Sequence, residues 1–281
     1  MSRLAILSLL AFGLSACGVP PAQQADESER PMRIVSLDYC ADQYVLKLAD
    51  AEQILAISPD GVKEFSYMRD AAAGVPTVRP VAEDVLLLKP DLVVRAYGGG
   101  PNAEAFFKRA GVPVLTVGWT SNVDSEEVGS IPSLIQHMAD GLGQGERGRD
   151  LVADFRTRLQ TLRRRTDGEI ALYMTPAGIT TGPGSMVHEM LREAGFENFE
   201  QKPGWRSIPL ERLAYEQPDV IAAAFFDQLT NHPDSWSPMK HPVAERQMND
   251  HTVVPLKGAW TACGGWFILD AIEALARGGG K

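Results

Sequence analysis

EDVLLLKPDLVV, residues 83–94, opens on an acid, runs through apolar residues to Pro-Asp, and ends in a β-branched stretch. The residue before a proline is biased away from helix, so the pair Pro90-Asp91 predicts a short helix closing and a buried strand beginning. ERLAYEQPDVIA, residues 211–222, repeats the unit 128 residues on (211 minus 83), with Pro218 seven positions after Glu211, as Pro90 follows Glu83. A helix–turn–strand unit that recurs in register predicts two similar α/β bodies in one chain.

The surroundings of both copies agree. Around the first, RIVSL (33–37), QILAIS (53–58), DLVVRAY (91–97) and VPVLTVG (112–118) read as strands, with helices at YVLKLA (44–49) and AEAFFKRAG (103–111). Around the second, EIALYM (169–174), VIAAAFF (220–226) and TVVPL (252–256) read as strands, SMVHEMLREAG (185–195) and FILDAIEALA (267–276) as helices, and TPAGITTGPG (175–184) as a loop. A further His-, Pro- and Trp-rich loop precedes TVVPL. Alternating strands and helices imply mainly parallel sheets covered on both faces. Between the copies, Leu151, Phe155, Leu159 and Leu162 form one stripe in 144–166. That periodicity predicts a surface helix of about 20 residues, long enough at ~30 Å to join two bodies.

A net charge of −9 and a pI near 5.1, with no basic patch, argue against a nucleic-acid partner. MSRLAILSLLAFGLSA, residues 1–16, has the composition of a secretory signal, too short and wrongly flanked to span a bilayer. LSAC, residues 14–17, resembles the lipobox of bacterial lipoproteins, which implies lipidation of Cys17; the alternative is an ordinary signal with a chance cysteine. Residues 17–31, polar and Pro-containing, read as a flexible tether. The expected organisation is therefore signal 1–16, tether 17–31, first lobe 32–142, linking helix 143–167 and second lobe 168–281. Cys40 and Cys263 remain as an even pair that an oxidising compartment would favour joining.

Taken in order, RIVSL, EDVLLLKPDLVV, GVPVLTV, GSMVHEMLREAGFEN and LERLAYEQPDVI resemble the periplasmic substrate-binding proteins of ABC importers for vitamin B12 and iron chelates, from about residue 32 to the C-terminus. The resemblance implies a class III fold, with two Rossmann-like lobes, mainly parallel sheets, and a long backbone helix between them. It also implies a monomeric receptor, not an enzyme, without a cofactor of its own, although the cargo may contain iron or cobalt. The implied partners are the ligand, an ABC permease dimer with its ATPase, and a membrane reached only through the lipid anchor. The place is the periplasm or its extracytoplasmic equivalent. In this family one surface glutamate per lobe meets arginines on the permease, and the match falls on Glu83 and Glu211; the plainer reading is that each favours its helix N-terminus.

Loops at the C-terminal ends of the strands should carry the ligand site. They hold Tyr39, Cys40, Tyr97 and Trp119 in the first lobe. In the second they hold Thr175–Gly178, Trp205, Phe226, Asp227, and Ala259, Trp260, Thr261, Ala262 and Cys263. Tyr97 and Trp205 match positions where the vitamin B12 binders of the family set aromatic rings. The same binders have an acid and a base where this chain has Ala262 and Cys263, which leaves corrinoid and siderophore both open. Arg79 and Arg206 could face the cleft and take an anionic chelate. Cys40 and Cys263, on loops of opposite lobes, could form a disulfide, meet the ligand as free thiols, or pack unpaired.

Two other classes stand as alternatives. A bare Zn or Mn receptor needs clustered ligands, yet His137, His188, His232, His241 and His251 form no H-x-H or H-x3-H pair. A cleft hydrolase could use Cys40, although GPGSMVH (182–188) lacks the closing glycine of a nucleophile elbow and Gly98-Gly99-Gly100 lacks the Lys-Ser/Thr of a P-loop.

Overall fold

The computed structural model describes residues 30–125, 127–162, 164, 167–225 and 237–278. The first lobe contains β1 (Ile34–Ser36), α1 (Tyr39–Leu48), β2 (Ile54–Ala56), α2 (Arg69–Ala72), α3 (Ala82–Leu87), β3 (Leu92–Arg95), α4 (Ala103–Arg109), β4 (Val114–Thr116) and α5 (Ile131–Gly141). α6 (Gly145–Thr161) leads to the second lobe: β5 (Ile170–Met174), β6 (Ile179–Thr181), α7 (Met186–Glu193), β7 (Glu197–Asn198), β8 (Trp205–Ser207), α8 (Leu210–Leu213), β9 (Val220–Ala224), α9 (Pro242–Asp250), β10 (Thr252–Leu256), α10 (Gly258–Thr261) and α11 (Ile268–Gly278).

Each lobe is built on a four-stranded parallel sheet, ordered β2-β1-β3-β4 in the first and β7-β5-β9-β10 in the second. The orders correspond strand for strand. The repeated unit explains why. Asp91 donates its backbone N–H to the Arg33 carbonyl (3.0 Å), and its carboxylate accepts from the N–H groups of Met32 and Arg33 (2.9 Å each). Asp219 does the same at Ile170, donating to its carbonyl and accepting from its N–H, both at 2.8 Å. The aspartate of each Pro-Asp thus sets one central strand beside the other.

Both sheets bury both faces by alternation. Ile34 and Val94 join the largest apolar cluster, whereas Val35 and Val93 turn to a cluster with Val85 and Phe107 under α3 and α4. In the second lobe Ala171 and Tyr173 join the large cluster, and Leu172 and Met174 enter a separate one with Leu213 and Ile221. The large cluster takes in residues of both lobes and of α6, so the lobes share a core rather than merely touching.

α6 carries Leu151, Phe155 and Leu159 buried, as the stripe predicts, while Arg147 pairs with Asp50 of the first lobe (2.7 Å) and Arg158 with Asp270 and Glu273 of the second (2.9 and 2.7 Å). The helix is shorter than expected, ending at Thr161. Leu162 is extended, though it still packs on the core, and the sequence beyond it is Arg163-Arg164-Arg165, with no apolar residue to continue the stripe. Two stretches expected as loops hold structure. Within TPAGITTGPG, β6 pairs antiparallel with β8, Ile179 opposite Ser207. Ahead of TVVPL, α9 begins at Pro242, where a proline costs no helical hydrogen bond, with the His241 ring accepting from the Val243 N–H. The signal, Cys17 and most of the tether lie outside the described residues. Among those described, no helix is long and apolar enough to cross a membrane.

Candidate functional site

Asp38 positions the first lobe's contribution. Its buried carboxylate caps α1 through the Ala41 N–H (3.0 Å). The other oxygen accepts from three successive N–H groups after β3: Ala96 (2.7 Å), Tyr97 (3.0 Å) and Gly98 (2.8 Å). One side chain thereby clamps the β1–α1 turn to the β3–α4 loop and sets Tyr39 and Tyr97 side by side, ring centroids 6.1 Å apart and edge to face. Gly98 is required here, because a Cβ would lie 2.4 Å from the Leu37 carbonyl oxygen. Phe65 also packs on Tyr39, ring centroids 4.6 Å apart. Its loop is held to α1 by Gln43, which bonds Ser66 (2.9 Å) and the Met68 N–H (2.7 Å), and by Asp42, which accepts from the Ser58 N–H (3.1 Å) and hydroxyl (2.6 Å). Asp42 is fully buried, and burial pushes its carboxyl up to about 6. Burial also raises the Tyr39 and Tyr97 phenols, which therefore stay protonated at neutral pH.

Between the lobes lies a cavity of about 450 Å³. Of the residues singled out from sequence, Tyr39, Cys40, Tyr97, Trp119, Trp205, Thr261, Ala262 and Cys263 line it together. Trp119 is 80% exposed and Trp205 52%, so both rings stand at the opening rather than in the core. No charged side chain is among the lining residues described. The aromatic groups share the lining with Val117, Met186, Val187 and Ile268. The cavity is thus shaped for an uncharged, flat or greasy surface.

Cys40 and Cys263 are joined by a disulfide across the lobes, Cα atoms 5.6 Å apart, and both residues line the cavity. Beside it Gly264 fits against Thr120, where a Cβ would lie 2.2 Å from the hydroxyl oxygen, and its carbonyl accepts from the Tyr44 hydroxyl (2.9 Å). Further along the seam Tyr44 meets Trp266 edge-on (5.4 Å), Tyr67 stacks on Phe267 (4.9 Å), and the Tyr67 hydroxyl donates to Asp270 (2.9 Å). Burial, then that carboxylate, pushes the Tyr67 phenol up to about 12.

Other candidates fall elsewhere. Ala259 and Trp260 are not among the lining residues: the segment coils into α10, which buries Ala259 and leaves Trp260 under the Lys257 ammonium at 5.5 Å. Thr175–Gly178 form the turn into β6, the Thr175 hydroxyl accepting from the Ile179 N–H (3.2 Å). Phe226 and Asp227 lie outside the described residues. Arg79 pairs with Asp84 at 2.7 Å, Arg206 donates to the Pro203 carbonyl at 3.0 Å, and neither lines the cavity. Ser185, Met186 and Val187 at the start of α7 were not anticipated. The N-cap pattern of Ser185, whose hydroxyl accepts from the His188 N–H (3.1 Å), is the signal that could have marked that helix start as lying at a strand's C-terminal end. Among the described residues no group of three or more His, Cys, Asp or Glu could hold a metal ion.

Glu83 and Glu211 occupy the second position of α3 and α8, exposed, and neither has an ion pair with another described residue. The acids nearest them are neutralised, Asp84 by Arg79 (2.7 Å) and Glu216 by Arg212 (2.6 Å).

The family model for periplasmic binding proteins matches residues 34–226, well over half of the chain. The chain belongs to the periplasmic binding protein family. This is an extracytoplasmic, solute-binding family that works with ABC permeases. No curated protein matches the sequence significantly. Solved structures do match in fold. The heme-binding protein RhuT from Roseiflexus sp. RS-1, in apo form, is 21% identical with a TM-score of 0.68 over 88% of this chain and 99% of its own. The vitamin B12-binding protein BtuF of Vibrio cholerae is 23% identical, TM-score 0.62, over 88% and 95%. A protein of the Fe3+-hydroxamate transport system of Saccharomonospora viridis is 19% identical, TM-score 0.64, over 90% and 94%. At these identities the likeness establishes the two-lobed class III architecture.

Proposed function

We propose that this chain is a lipid-anchored receptor that captures a metal chelate, an iron complex or a corrinoid, between its lobes and hands it to an ABC permease. The observation that carries the reading is the interlobe cavity, walled by Tyr39, Tyr97, Trp119 and Trp205 and free of charged lining side chains among the described residues. Aromatic rings would hold the flat or apolar face of the ligand, and the Thr120, Ser185 and Thr261 hydroxyls with nearby backbone would orient it. A neutral wall favours the flat face of a macrocycle or a hydroxamate complex over an anionic catecholate, and the propionates of a heme would have to remain at the open mouth. Family membership and the ligands in the names of the three solved proteins, heme, vitamin B12 and Fe3+-hydroxamate, support the same class. Cys17 would carry the lipid and 17–31 the tether, and a single copy would dock through Glu83 and Glu211. The function is binding and release, without catalysis. A hydrolase built on Cys40 is disfavoured because its sulfur is bonded to Cys263 and offers no thiolate.

The test is a tryptophan-fluorescence titration of the purified protein with heme, cobalamin, a ferric hydroxamate, a ferric catecholate, Zn2+ and Mn2+. A saturable response to heme, cobalamin or the hydroxamate is expected. A response to the free metals alone overturns the reading.

A further inference from the structure

The two copies of the opening unit agree in more than their glutamates. Four residues after Glu83 stands Leu87, 80% exposed, and four residues after Glu211 stands Tyr215, 91% exposed. They are two of the most exposed large apolar side chains described. Scattered apolar residues on a surface need no explanation. Two at the same position of two pseudo-equivalent units, each beside an acid with no ion pair among the described residues, do need one.

The local geometry makes each pair a single patch. In both copies the residue two after the glutamate, Val85 or Leu213, is buried in its lobe and fixes the helix face. Residues four apart on a helix lie over one another, about 5–6 Å between Cβ atoms, so Leu87 shares a face with Glu83. In the second copy α8 ends at Leu213, but the Glu216 N–H still donates to the Arg212 carbonyl (2.8 Å), so the turn continues through Tyr215. Arg79 and Arg212 pair with Asp84 and Glu216, so on each unit the carboxylate without an ion pair among the described residues is the one a helical turn from the exposed apolar side chain.

We infer that Leu87 and Tyr215 are a matched pair of apolar anchors, one per lobe, that seat beside Glu83 and Glu211 on the membrane-embedded permease. Its two subunits would each present a cation about one helical turn from an apolar recess. The inference rests on the docking reading above and adds to it. The carboxylates steer and set the register, whereas the apolar side chains, shielded from water once seated, hold the complex. A two-fold partner explains why one patch is copied on both lobes of a single chain. Because one anchor is Leu and the other Tyr, the recesses must accept either shape.

The test begins with a photo-crosslinking amino acid at position 87 or 215 of the full chain in its native cells. Both positions are expected to capture the same polytopic membrane protein. Capture of soluble proteins only, or by one position only, overturns the proposal. That membrane protein in nanodiscs is then titrated with Leu87→Ser, Tyr215→Ser, the double variant, and Glu83→Gln with Glu211→Gln. Each single apolar change should weaken binding about tenfold and the double about a hundredfold. The swapped pair, Leu87→Tyr with Tyr215→Leu, should bind near wild type, which a folding defect would not allow. Unchanged binding by the Ser variants, with loss in the Gln pair, overturns the anchors and leaves the glutamate reading intact. Loss in the Ser variants alone supports the anchors and removes the glutamates.

Discussion

The two lobes are alike in their glutamate units and unlike in the walls they give the cleft. α3 with β3 and α8 with β9 share spacing, burial pattern and the same aspartate clasp to the neighbouring strand. The cleft walls differ. The first lobe starts α1 with Asp38, which clamps a second loop and sets a pair of tyrosines; the second starts α7 with Ser185, which caps its own helix, and adds the β6–β8 pair that carries Trp205. A two-fold partner rewards identical surfaces, while a ligand held between two lobes does not. The molecule keeps symmetry in the glutamate units and abandons it in the cleft.

The largest expected effect tests the shared side. Glu83→Lys and Glu211→Lys should each cut permease-dependent uptake by similar factors, and together abolish it, with ligand affinity unchanged. Strongly unequal single effects would break the equivalence. Next comes the tie between the lobes. Removing the disulfide (Cys40→Ser with Cys263→Ser) should lower stability by roughly 2–4 kcal/mol in urea unfolding. One transition is expected to persist, because the shared core and the seam through Tyr44, Tyr67 and Trp266 remain. Separate transitions would show that the lobes are independent.

A smaller effect tests the first lobe alone. The Asp42 carboxyl, pushed up to about 6 in the fold, binds its proton more tightly there than in the unfolded chain. Between about pH 4 and 6 the folded state therefore holds more protons, and this group's contribution to stability grows as pH falls, by up to roughly 3 kcal/mol. Asp42→Asn should be more stable than wild type at pH 7.5, and the difference in Tm should shrink toward pH 4. A difference independent of pH would contradict the assignment.

Much of this was legible in the sequence because duplication removes ambiguity. One acidic apolar run before Pro-Asp could be any helix–strand junction, but two in register define a topology. The β6–β8 pair was hidden because Gly178, Gly182, Pro183 and Gly184 read as a loop, and because strand pairing at 179–181 depends on partners at 205–207, for Thr180 26 residues away (206 minus 180). α9 was hidden because Pro242 punctuates a loop as readily as it starts a helix. At the site, Tyr97, Trp119 and Trp205 stood out as aromatics on glycine-flanked or strand-end segments. Trp260 looked the same, yet α10 turned it out of the lining. Ile268 carried no signal, since its place depends on how the lobes meet, and Met186 was marked only through the cap at Ser185.

The central claim is that the ligand sits between the lobes against Trp119 and Trp205. The most direct measurement is fluorescence quenching by whichever chelate binds, compared across Trp119→Phe with Trp205→Phe and, separately, Trp260→Phe. Most of the quenching should vanish in the first variant and persist in the second. Full quenching in the variant lacking Trp119 and Trp205 would place the ligand elsewhere and contradict the account.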